Sequence, residues 1–535
     1  MEKRLILAAT LSFFVLYFWT LMNPPQKVKT ASQHTSEHLS NISLPSVTED
    51  KKDTLSQDAR SLPRPRRVIK SIETDKLIAK FSNIGGCLQE VLIKGYDVTL
   101  PITDINDMLP YNKVAFLLKQ IQDNIILYEY EDKEILIQKK YIIDKKKYTI
   151  NSNINIKYKQ KAHNKNKFSI TALSLKMSKL KASDLKARNK SFQEYVVYSD
   201  KGMLRKNNAY KFSLKENKDI AAKVFWVGFR NQYYCAIVKP LYKTAGYAIK
   251  VQDNKDAALM IRPVWEQGAV EQNFSSLIYI GPESLDLLNK VDTSFSKIKR
   301  YYRFGLLDLM GKIVNRIIHL LHKVIPNWGV CIILMSILIS IITYPITIKN
   351  MISMKKMQAL QPQMTALKEK YKNNPQKFNI EVMELYKRNN VNPMAGCLPM
   401  FLQMPIFFGL IQALWRDVAF KGAGFLWIKD LTEPDRLFLL PFKLPYIGNE
   451  INILPILMMI LMFLQQKLSS SNTTGMDPEQ EAQQKMMRIF LPLMYGAIFY
   501  KFASGLALYW TTFNVLSCFT QWKIAKMNNA AGKAG

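Results

Sequence analysis

A cluster of apolar segments most constrains what this chain can fold into. Five of them follow residue 327 and a sixth begins the chain; their ranges are 5–22, 328–348, 396–415, 451–466, 489–501 and 504–522. A helix of roughly 20 apolar residues spans the hydrocarbon core of a bilayer. The last two segments are separated by very few residues, so they must form a tight hairpin. The sequence therefore predicts a polytopic α-helical membrane protein with six transmembrane helices.

The first apolar segment predicts the orientation of the chain. It follows Lys3 and Arg4 and ends in the bulky run FWTLM at 18–22, which lacks the small residues of a cleavage site. We therefore expect residues 1–22 to be an uncleaved anchor whose N-terminus is cytoplasmic. Six spans return the short C-terminal tail, residues 528–535, to the cytoplasm. The predicted cytoplasmic segments together hold more Lys and Arg than the predicted outer loops, in agreement with the positive-inside tendency.

The chain between the anchor and the apolar cluster is polar. Residues 23–68 are rich in Ser, Thr, Pro and charged residues, which predicts a disordered linker. Residues 69–300 contain stretches of period two, such as YTINSNINIKY at 148–158, where Ile150 and Ile156 share one side. Many short strands with few helices are typical of an antiparallel sandwich. We expect a large all-β sandwich domain outside the cytoplasm, because it follows an anchor whose N-terminus is inside.

Residues 301–326 predict a helix that lies in the membrane interface. Apolar residues recur there every three or four positions, and charged or polar residues fill much of the opposite face. His319 and His322 are three residues apart and could share a metal ion. Two ligands alone make a poor metal site, so we interpret both histidines as polar residues of the interface. Residues 327–527 then form a core of five helices.

Within this core, residues 349–391 predict a cytoplasmic helical hairpin. The tripeptide NNP at 373–375 separates its two helices, and the second helix runs to about Arg388. One face of the first helix carries Met351, Met354, Met357 and Met364. Methionine side chains adapt to varied apolar surfaces, so this stripe could receive apolar segments of other proteins. The stripe could equally hold the two helices together, and the sequence leaves both interpretations open.

Polar residues interrupt the apolar segments. Gln403 lies between Pro399 and Pro405, although an unsatisfied amide or backbone group in lipid costs several kcal/mol. Such groups persist where they face protein or water, so Gln403 predicts a polar cavity. Further residues of this kind are Ser336, Ser340, Thr343, Trp510, Thr511 and Asn514. They indicate a shared polar groove, with ordinary hydrogen bonds between packed helices as the alternative.

Several classes of function receive no support from the sequence. The net charge is +33, but no zinc spacing, recognition helix or aromatic RNA-binding motif accompanies it, so we expect no specific binding of nucleic acid. The five cysteines form no CxxC pair, and no GxxxxGK[ST] motif is present. We therefore expect no cofactor, no metal and no enzymatic activity.

The motifs of the apolar region resemble those of the YidC-type membrane protein insertases. The matching stretches are NWGVCIILMSILISIITYPIT (327–347), KKMQALQPQM (355–364), VNPMAGCLPMFLQMPIFFGL (391–410), LPILMMILMFLQQKLS (454–469), QQKMMRIFLPLMY (483–495) and SGLALYWTTFN (504–514). FSNIGG at 81–86, YIGPES at 279–284 and the first anchor resemble the Gram-negative form. The resemblance is strong over 300–525 and weak in the domain before it.

This resemblance implies a fold, a function and partners. It implies a periplasmic β-sandwich, an interfacial helix, a cytoplasmic hairpin and a five-helix core around a groove open to the cytoplasm and to lipid. The implied function is that of an insertase and chaperone of the bacterial inner membrane. The implied partners are nascent membrane proteins and membrane lipids, together with the Sec translocon and the ribosome.

One groove position departs from the family pattern. The family usually has an arginine five residues before the proline of its Tyr-Pro pair, which is Tyr344-Pro345 here, and this chain has Ser340 at that position. Either another base such as Lys349 supplies the positive charge, or the groove relies on polarity alone. Gln403 matches the groove glutamine of the family.

Two other classes of protein remain alternatives. A secondary transporter of a small solute also has broken helices and polar groups at the midplane, but the spans contain no Asp, Glu or Lys for ion coupling. An outer-face binding module would use its helices only as anchors. Retained activity after deletion of the β domain would distinguish an insertase from such a module.

Overall fold

The computed structural model describes residues 66–531, except for 97, 160–167, 177–192, 208–216, 254–255, 267–268, 302–304, 373, 393–397, 445–447 and 470–477. The chain divides into two units after Gly281. The predicted anchor, nearly all of the predicted linker and the last four residues lie outside the described residues.

The first unit is built from antiparallel strands. In chain order they are β1 (Ile69–Glu73), β2 (Leu77–Ser82), β3 (Cys87–Ile93), β4 (Val98–Thr99), β5 (Ile102–Thr103), β6 (Asp107–Leu109), β7 (Leu117–Gln122), β8 (Ile125–Glu131), β9 (Ile135–Ile143), β10 (Thr149–Tyr158), β11 (Ser169–Lys176), β12 (Glu194–Ser199), β13 (Gly202–Asn207), β14 (Lys218–Ala221), β15 (Val224–Arg230), β16 (Tyr234–Pro240), β17 (Thr244–Asp253), β18 (Asp256–Pro263) and β19 (Glu271–Pro282).

These strands form three sheets. The largest has the order β13-β12-β15-β16-β19-β10-β9-β8-β7, and the second has the order β14-β17-β18-β11-β5 with β6 paired to β11. Strand β15 of the first sheet contacts β11 and β17 of the second, so the two sheets pack as a sandwich. Strands β1 to β4 form a smaller third sheet. The predicted sandwich is confirmed, and Ile150 and Ile156 are both buried as the period-two pattern required.

A lysine is buried inside this unit. Lys139 of β9 donates from Nζ to the carbonyl oxygens of Gly85 at 2.6 Å and Asn106 at 3.0 Å. Burial lowers the pKa of Lys139, while burial raises the pKa of the neighbouring Asp107 to about 6 despite the nearby ammonium group. Gly85 has a φ of 71°, and a Cβ there would lie 2.5 Å from Asp107 Oδ1. The glycine of the FSNIGG motif is therefore required for this close approach.

The second unit is mainly helical. Its helices are α1 (Leu285–Val291), α2 (Gly305–Val324), α3 (Trp328–Ala359), α4 (Gln361–Lys370), α5 (Pro375–Arg388), α6 (Leu398–Arg416), α7 (Ile453–Ser469), α8 (Pro478–Phe499) and α9 (Ser504–Ala531), and a ribbon of β20 (Phe438–Leu444) and β21 (Gly448–Ile451) precedes α7. Strand β19 ends at Pro282 and the two units divide after Gly281, while the boundary of the β domain at residue 300 stays a prediction.

One helix is longer than the sequence predicted. Helix α3 continues through Pro345 to Ala359, so the apolar segment 328–348 and the start of the predicted cytoplasmic hairpin form one continuous element. The predicted break at 373–375 is confirmed, since α4 ends at Lys370 and α5 begins at Pro375. Among the described residues, one helix is both long and apolar enough to cross a bilayer, over Trp328–Met354. The apolar parts of α7 and α8 are shorter, so the count of six spans stays a prediction.

Helix α2 is attached to the end of α6 by buried polar groups. Asp417 Oδ2 accepts hydrogen bonds from Asn315 Nδ2 at 2.6 Å and from His319 Nε2 at 2.7 Å. Burial alone would raise the pKa of Asp417, but Lys299, His319 and Asn315 hold it well below its usual range. Asn315 belongs to the polar face predicted from sequence, yet it is buried by this contact.

The apolar face of α2 is exposed in the bare protein. Leu306, Ile313 and Leu320 lie on this face, whereas Gly311, Val314 and Ile318 are buried. Helix α2 packs on α6, and a Cβ on Gly409 of α6 would lie 3.1 Å from Met310 O. An exposed apolar stripe on a helix with a packed opposite side fits a position in the membrane interface.

One end of the helical unit is closed by hydrogen bonds between loops. Ser504 N donates to Glu433 O at 2.7 Å, and Gly505 N donates to Leu431 O at 3.0 Å. Asn452 Nδ2 donates to Tyr500 O at 2.7 Å. These bonds tie the α6–α7 connection to the turn between α8 and α9.

Candidate functional site

The hydroxyl groups of α3 form a row along one side of the helix. Ser336 Oγ donates to Ile332 O and Ser340 Oγ donates to Ser336 O, both at 2.8 Å, and Thr343 Oγ1 donates to Ile339 O at 2.9 Å. Each hydroxyl proton is therefore used within the helix, which leaves the oxygen lone pairs as acceptors. Ser336 is fully buried, and Ser340 and Thr343 are half-buried.

Gln403 joins α6 to α9. Its Nε2 donates a short hydrogen bond to the hydroxyl oxygen of Tyr509, and both side chains are buried. The sequence predicts a role for Gln403, but the aromatic stretch at 508–510 gives no sign that Tyr509, rather than Trp510, faces the amide. The side chain of Pro399 lies outside the described residues.

Two neighbouring residues of α9 carry buried polar atoms that have no partner within the described residues, and Gln521 Oε1 farther along the helix is a third such atom. Thr511 and Asn514 are 7% and 3% exposed, and neither Thr511 Oγ1 nor Asn514 Nδ2 makes a hydrogen bond. Buried polar groups in folded proteins nearly always have a partner, either protein or ordered water. This pair therefore marks a place where water or a polar group of another molecule is required.

Trp510 belongs to an aromatic cluster rather than to this polar group. Its ring lies 5.5 Å from that of Phe407 on α6 and 5.8 Å from that of Tyr495 on α8, and its ring is also 5.5 Å from that of Phe499. The cluster fixes α6, α8 and α9 to one another. Because α3 also packs on α9, the residues selected from sequence lie on three helices that are in mutual contact, α3, α6 and α9.

No charged residue lies within the apolar part of this site. The ranges 328–348, 398–415 and 504–522 contain no Asp, Glu, Lys or Arg. Lys349 is exposed and lies nine positions after Ser340, which is about 13 Å along a helix axis. It cannot replace a charge at the depth of Ser340.

The methionines of the hairpin have two different environments. Met357 and Met364 pack against a small core of Leu360, Tyr386 and Val391, and the Tyr386 hydroxyl lies 2.9 Å from Met364 Sδ. Met351 and Met354 are half-buried on the last turns of α3. Part of the stripe therefore holds the hairpin together, as the second interpretation of the sequence required.

The two histidines of α2 take part in different contacts. His319 bonds Asp417, while the His322 ring stacks on the Trp328 indole with 3.7 Å between ring centroids. Among the described residues, no three His, Cys, Asp or Glu side chains are placed to hold a metal ion.

Comparison with known proteins identifies the family. A family model described as 60Kd inner membrane protein matches residues 320–531, and one described as YidC periplasmic domain matches residues 116–312. The chain belongs to the YidC family. The first unit is thus similar to the periplasmic domain of this family, and the helical unit to its inner-membrane region.

Relatives in the YidC family cover part of the chain. The membrane protein insertase YidC of Chlorobium luteolum is 34% identical over 342 residues, which are 62% of this chain and 56% of that protein. The same-named protein of Syntrophobacter fumaroxidans is 36% identical over 330 residues, which are 60% and 57% of the two chains. The chain therefore spans a little over half the length of these relatives.

Solved structures give weaker matches. A crystal structure described as an active YidC insertase with the first transmembrane domain resolved is 16% identical, covers 84% of this chain and 91% of its own, and has a TM-score of 0.37. A galactose mutarotase related enzyme from Lactobacillus acidophilus is 11% identical, covers 40% of this chain and 97% of its own, and has a TM-score of 0.30.

Proposed function

We propose that this protein is an insertase and chaperone for proteins of the bacterial inner membrane. Family membership supports this proposal, since the relatives that match are named membrane protein insertases. The client is a nascent membrane protein with a short polar flank. The client's apolar segment moves along the lipid-facing edge of the helical unit while its polar flank crosses through a groove between α3, α6 and α9.

The single observation that carries the groove is the pair of unpartnered atoms on α9. Thr511 Oγ1 and Asn514 Nδ2 are buried without hydrogen bonds in the described part of the chain. In the groove, water or the client's polar flank supplies the missing partners. Ser336, Ser340, Thr343 and Gln403 add acceptors and one amide, and Trp510 and Tyr509 fix the helices that carry them.

Water in the groove lowers the barrier to insertion. A charged residue at the centre of a transmembrane helix costs roughly 2.5–3.5 kcal/mol on insertion scales. A half-channel filled with water shortens the dry path and reduces that cost. Burial of the client's apolar helix drives the reaction, at about 25 cal/mol per Å². The process breaks no covalent bond and needs no nucleotide.

We infer a six-span topology for the whole chain, with both termini in the cytoplasm. The anchor at 5–22 is the first span, and α3, α6, α7, α8 and α9 supply the other five. The start of α7 bonds the end of α8 through Asn452 and Tyr500, and the start of α9 bonds the α6–α7 connection through Ser504. The Trp328 ring at the start of α3 lies 4.8 Å from that of Phe420, just after α6. These contacts support the alternating direction of the helices. The hairpin of α4 and α5 then extends into the cytoplasm, where Met351 and Met354 contact clients, and where the Sec translocon and the ribosome are partners.

A matched pair of variants tests the groove. Gln403 and Gln412 lie on α6 and are 8% and 7% exposed, but Gln403 is nearer the proposed cytoplasmic opening. We expect Gln403→Leu to reduce insertion of a client with a polar tail by about fivefold, which corresponds to one lost hydrogen bond of about 1 kcal/mol. Gln412→Leu, nine residues farther from that opening on the same helix, should reduce insertion less than Gln403→Leu does.

The measurement is protection of the client's tail from protease in vesicles that contain only the purified protein. A client with a very apolar tail serves as the internal control and should be affected little by either variant. Equal losses with both clients, or equal losses in both variants, would contradict the groove. Complete failure of the folded wild-type protein to insert either client would contradict the proposed function itself.

The family comparison gives no support to a solute transporter. The spans that surround the groove carry no Asp, Glu, Lys or Arg for ion coupling, and the relatives are named insertases. Uptake of a small solute by the purified protein would reverse this conclusion.

A further inference from the structure

A ribbon of two strands between α6 and α7 exposes large apolar side chains. Phe438, Leu439 and Phe442 of β20 are 59%, 68% and 58% exposed. Phe438 and Leu439 are consecutive, so their side chains point to opposite faces of the ribbon. A two-stranded hairpin is marginally stable in water by itself. Exposed apolar groups on both faces therefore require an apolar environment around the ribbon.

The charged residues at the base of the ribbon are paired. Arg436 contacts Glu433 at 3.0 Å and Glu450 at 2.9 Å. Between residues 437 and 449 the only charged residue is Lys443. The ribbon thus has a paired ionic base, an uncharged apolar middle and one basic residue near its tip.

The base of the ribbon is fixed to the first turn of α7. Asp435 Oδ2 accepts hydrogen bonds from Ile453 N at 2.7 Å and from Leu454 N at 3.0 Å, and from Trp427 Nε1 at 3.3 Å. Phe438 pairs with Ile451, two residues before α7 begins. The ribbon cannot move far from this end of α7 without breaking these bonds.

Helix α7 itself exposes an apolar surface that begins next to the ribbon. Ile456, Leu457, Ile460 and Leu464 are exposed in the bare protein, and the apolar run of α7 holds no charged residue before Lys467. In an inner-membrane protein this surface faces lipid. The apolar surface of the ribbon is continuous with the lipid-facing surface of α7. Trp427 lies where the two surfaces meet, and tryptophan is enriched at membrane–water boundaries.

We propose that the β20–β21 ribbon is inserted in the bilayer leaflet that surrounds the start of α7, with Phe438, Leu439 and Phe442 in contact with lipid. The ionic base formed by Arg436, Glu433 and Glu450 stays at the level of the headgroups. This inference goes beyond the proposed function, because it requires only that α7 lies in a membrane.

A spin label at residue 439 tests the proposal. The Leu439→Cys variant of the full chain is labelled and reconstituted in vesicles of phosphatidylethanolamine and phosphatidylglycerol at low protein density. Collision rates with oxygen, which concentrates in lipid, and with a water-soluble nickel complex are then measured. The four cysteines in the described residues are buried, so the unsubstituted chain treated in the same way gives the background.

The control position is Lys146→Cys, which lies in the exposed turn between β9 and β10. We expect the ratio of oxygen to nickel collisions at residue 439 to exceed that at residue 146 several-fold, and Phe442→Cys to agree with residue 439. A high nickel rate at 439 would place the ribbon in water and overturn the proposal. Low rates with both reagents would show that protein covers the ribbon, which would also overturn it.

Discussion

Each unit contains buried ionisable side chains that fix the packing of the residues around them. In the β domain, Asp107 and Lys139 are both buried and interact electrostatically, and Gly85 leaves space for the Asp107 carboxylate. In the helical unit, Asp417 receives hydrogen bonds from α2 and lies in the field of Lys299. Neither arrangement can be predicted from the spacing of apolar residues, because each forms between residues that are far apart in the chain.

We expect the Asp107→Asn variant to change how the stability of the β domain depends on pH. Burial raises the pKa of Asp107 from its ordinary value of 3.8 to about 6. Between these values the folded protein keeps the proton that the unfolded chain has lost. The free energy of unfolding should therefore fall as pH rises from about 4 to 6, by at most about 3 kcal/mol from this group.

Pulse proteolysis in urea at several pH values measures this dependence. The variant should lose the contribution of Asp107, so the difference between variant and wild type should change across that pH range. Asp123→Asn is the control, since the Asp123 side chain is 73% exposed. A pH-independent difference for Asp107→Asn would contradict the prediction.

Replacement of Asp417 by Ala should detach α2 from α6. The substitution removes the acceptor of Asn315 and His319 and also the negative charge that acts on the buried Lys299. A buried donor left without its acceptor costs about 1–3 kcal/mol. Hydrogen exchange of the α2 amides should increase strongly, whereas Glu384→Ala, which breaks an exposed pair with Arg388, should change exchange little. Unchanged protection of α2 in the Asp417 variant would refute this role.

The elements follow the sequence pattern closely where one face is buried against protein. The sequence predicts the strands β9 and β10 from their alternating apolar residues, and it predicts the break before Pro375 from its turn residues. Both signals depend only on local structure. The continuation of α3 to Ala359 was not predicted, because Pro345 and the change from apolar to basic residues resemble the end of a helix. The β20–β21 ribbon lies in a segment that the sequence predicts as an outer loop. Its strand pattern is very short and is interrupted by Pro441.

The candidate site was predicted in part. The amide and hydroxyl positions were selected because they are rare in apolar helices, and the structure brings their helices together. Tyr509 was missed because its partner depends on the relative rotation of α6 and α9, which sequence does not encode locally. Asn315 lies on the predicted polar face of α2, and its burial was missed. The acceptor that buries it, Asp417, lies 102 residues away in the chain, so no local pattern indicates the contact.

We expect one side of helix α3 to contact water in the proposed groove and the other side to contact lipid. We expect Ser340→Cys to react with a membrane-impermeant thiol reagent added from the cytoplasmic side of reconstituted vesicles. Ile342→Cys is the matched control: its side chain is more exposed in the bare protein, but it should be shielded by lipid and react slowly. Faster reaction at 342 than at 340 would show that water does not enter between the helices.

At the scale of the whole molecule, the residues just after the β domain belong to the helical unit. Phe295 and Ile298 are fully buried there, and Lys299 lies in the electrostatic environment of Asp417. The boundary between the two units follows Gly281, so the segment 282–301 is structurally part of the region that carries the proposed groove.

Two deletions should therefore behave differently. Removal of residues 70–281 should leave insertion of a short client in vesicles nearly intact, because all groove residues and the segment 282–301 remain. Removal of residues 70–301 should lower the thermal stability of the helical unit and reduce insertion, since it takes away Lys299 and the buried Phe295 and Ile298. Loss of insertion in the shorter deletion would favour a function that resides in the β domain.

The loop bonds at Ser504, Gly505 and Asn452 have a mechanical consequence. They fasten the starts of α7 and α9 and the end of α8 at one extremity, whereas α7 and α9 are joined nearer the opposite extremity by a side-chain bond from Gln465 Nε2 to Ser517 Oγ at 2.9 Å. A small tilt about the fastened extremity separates the opposite ends the most. In the proposed insertion mechanism, we therefore expect the space between neighbouring helices to open at the end away from these loop bonds.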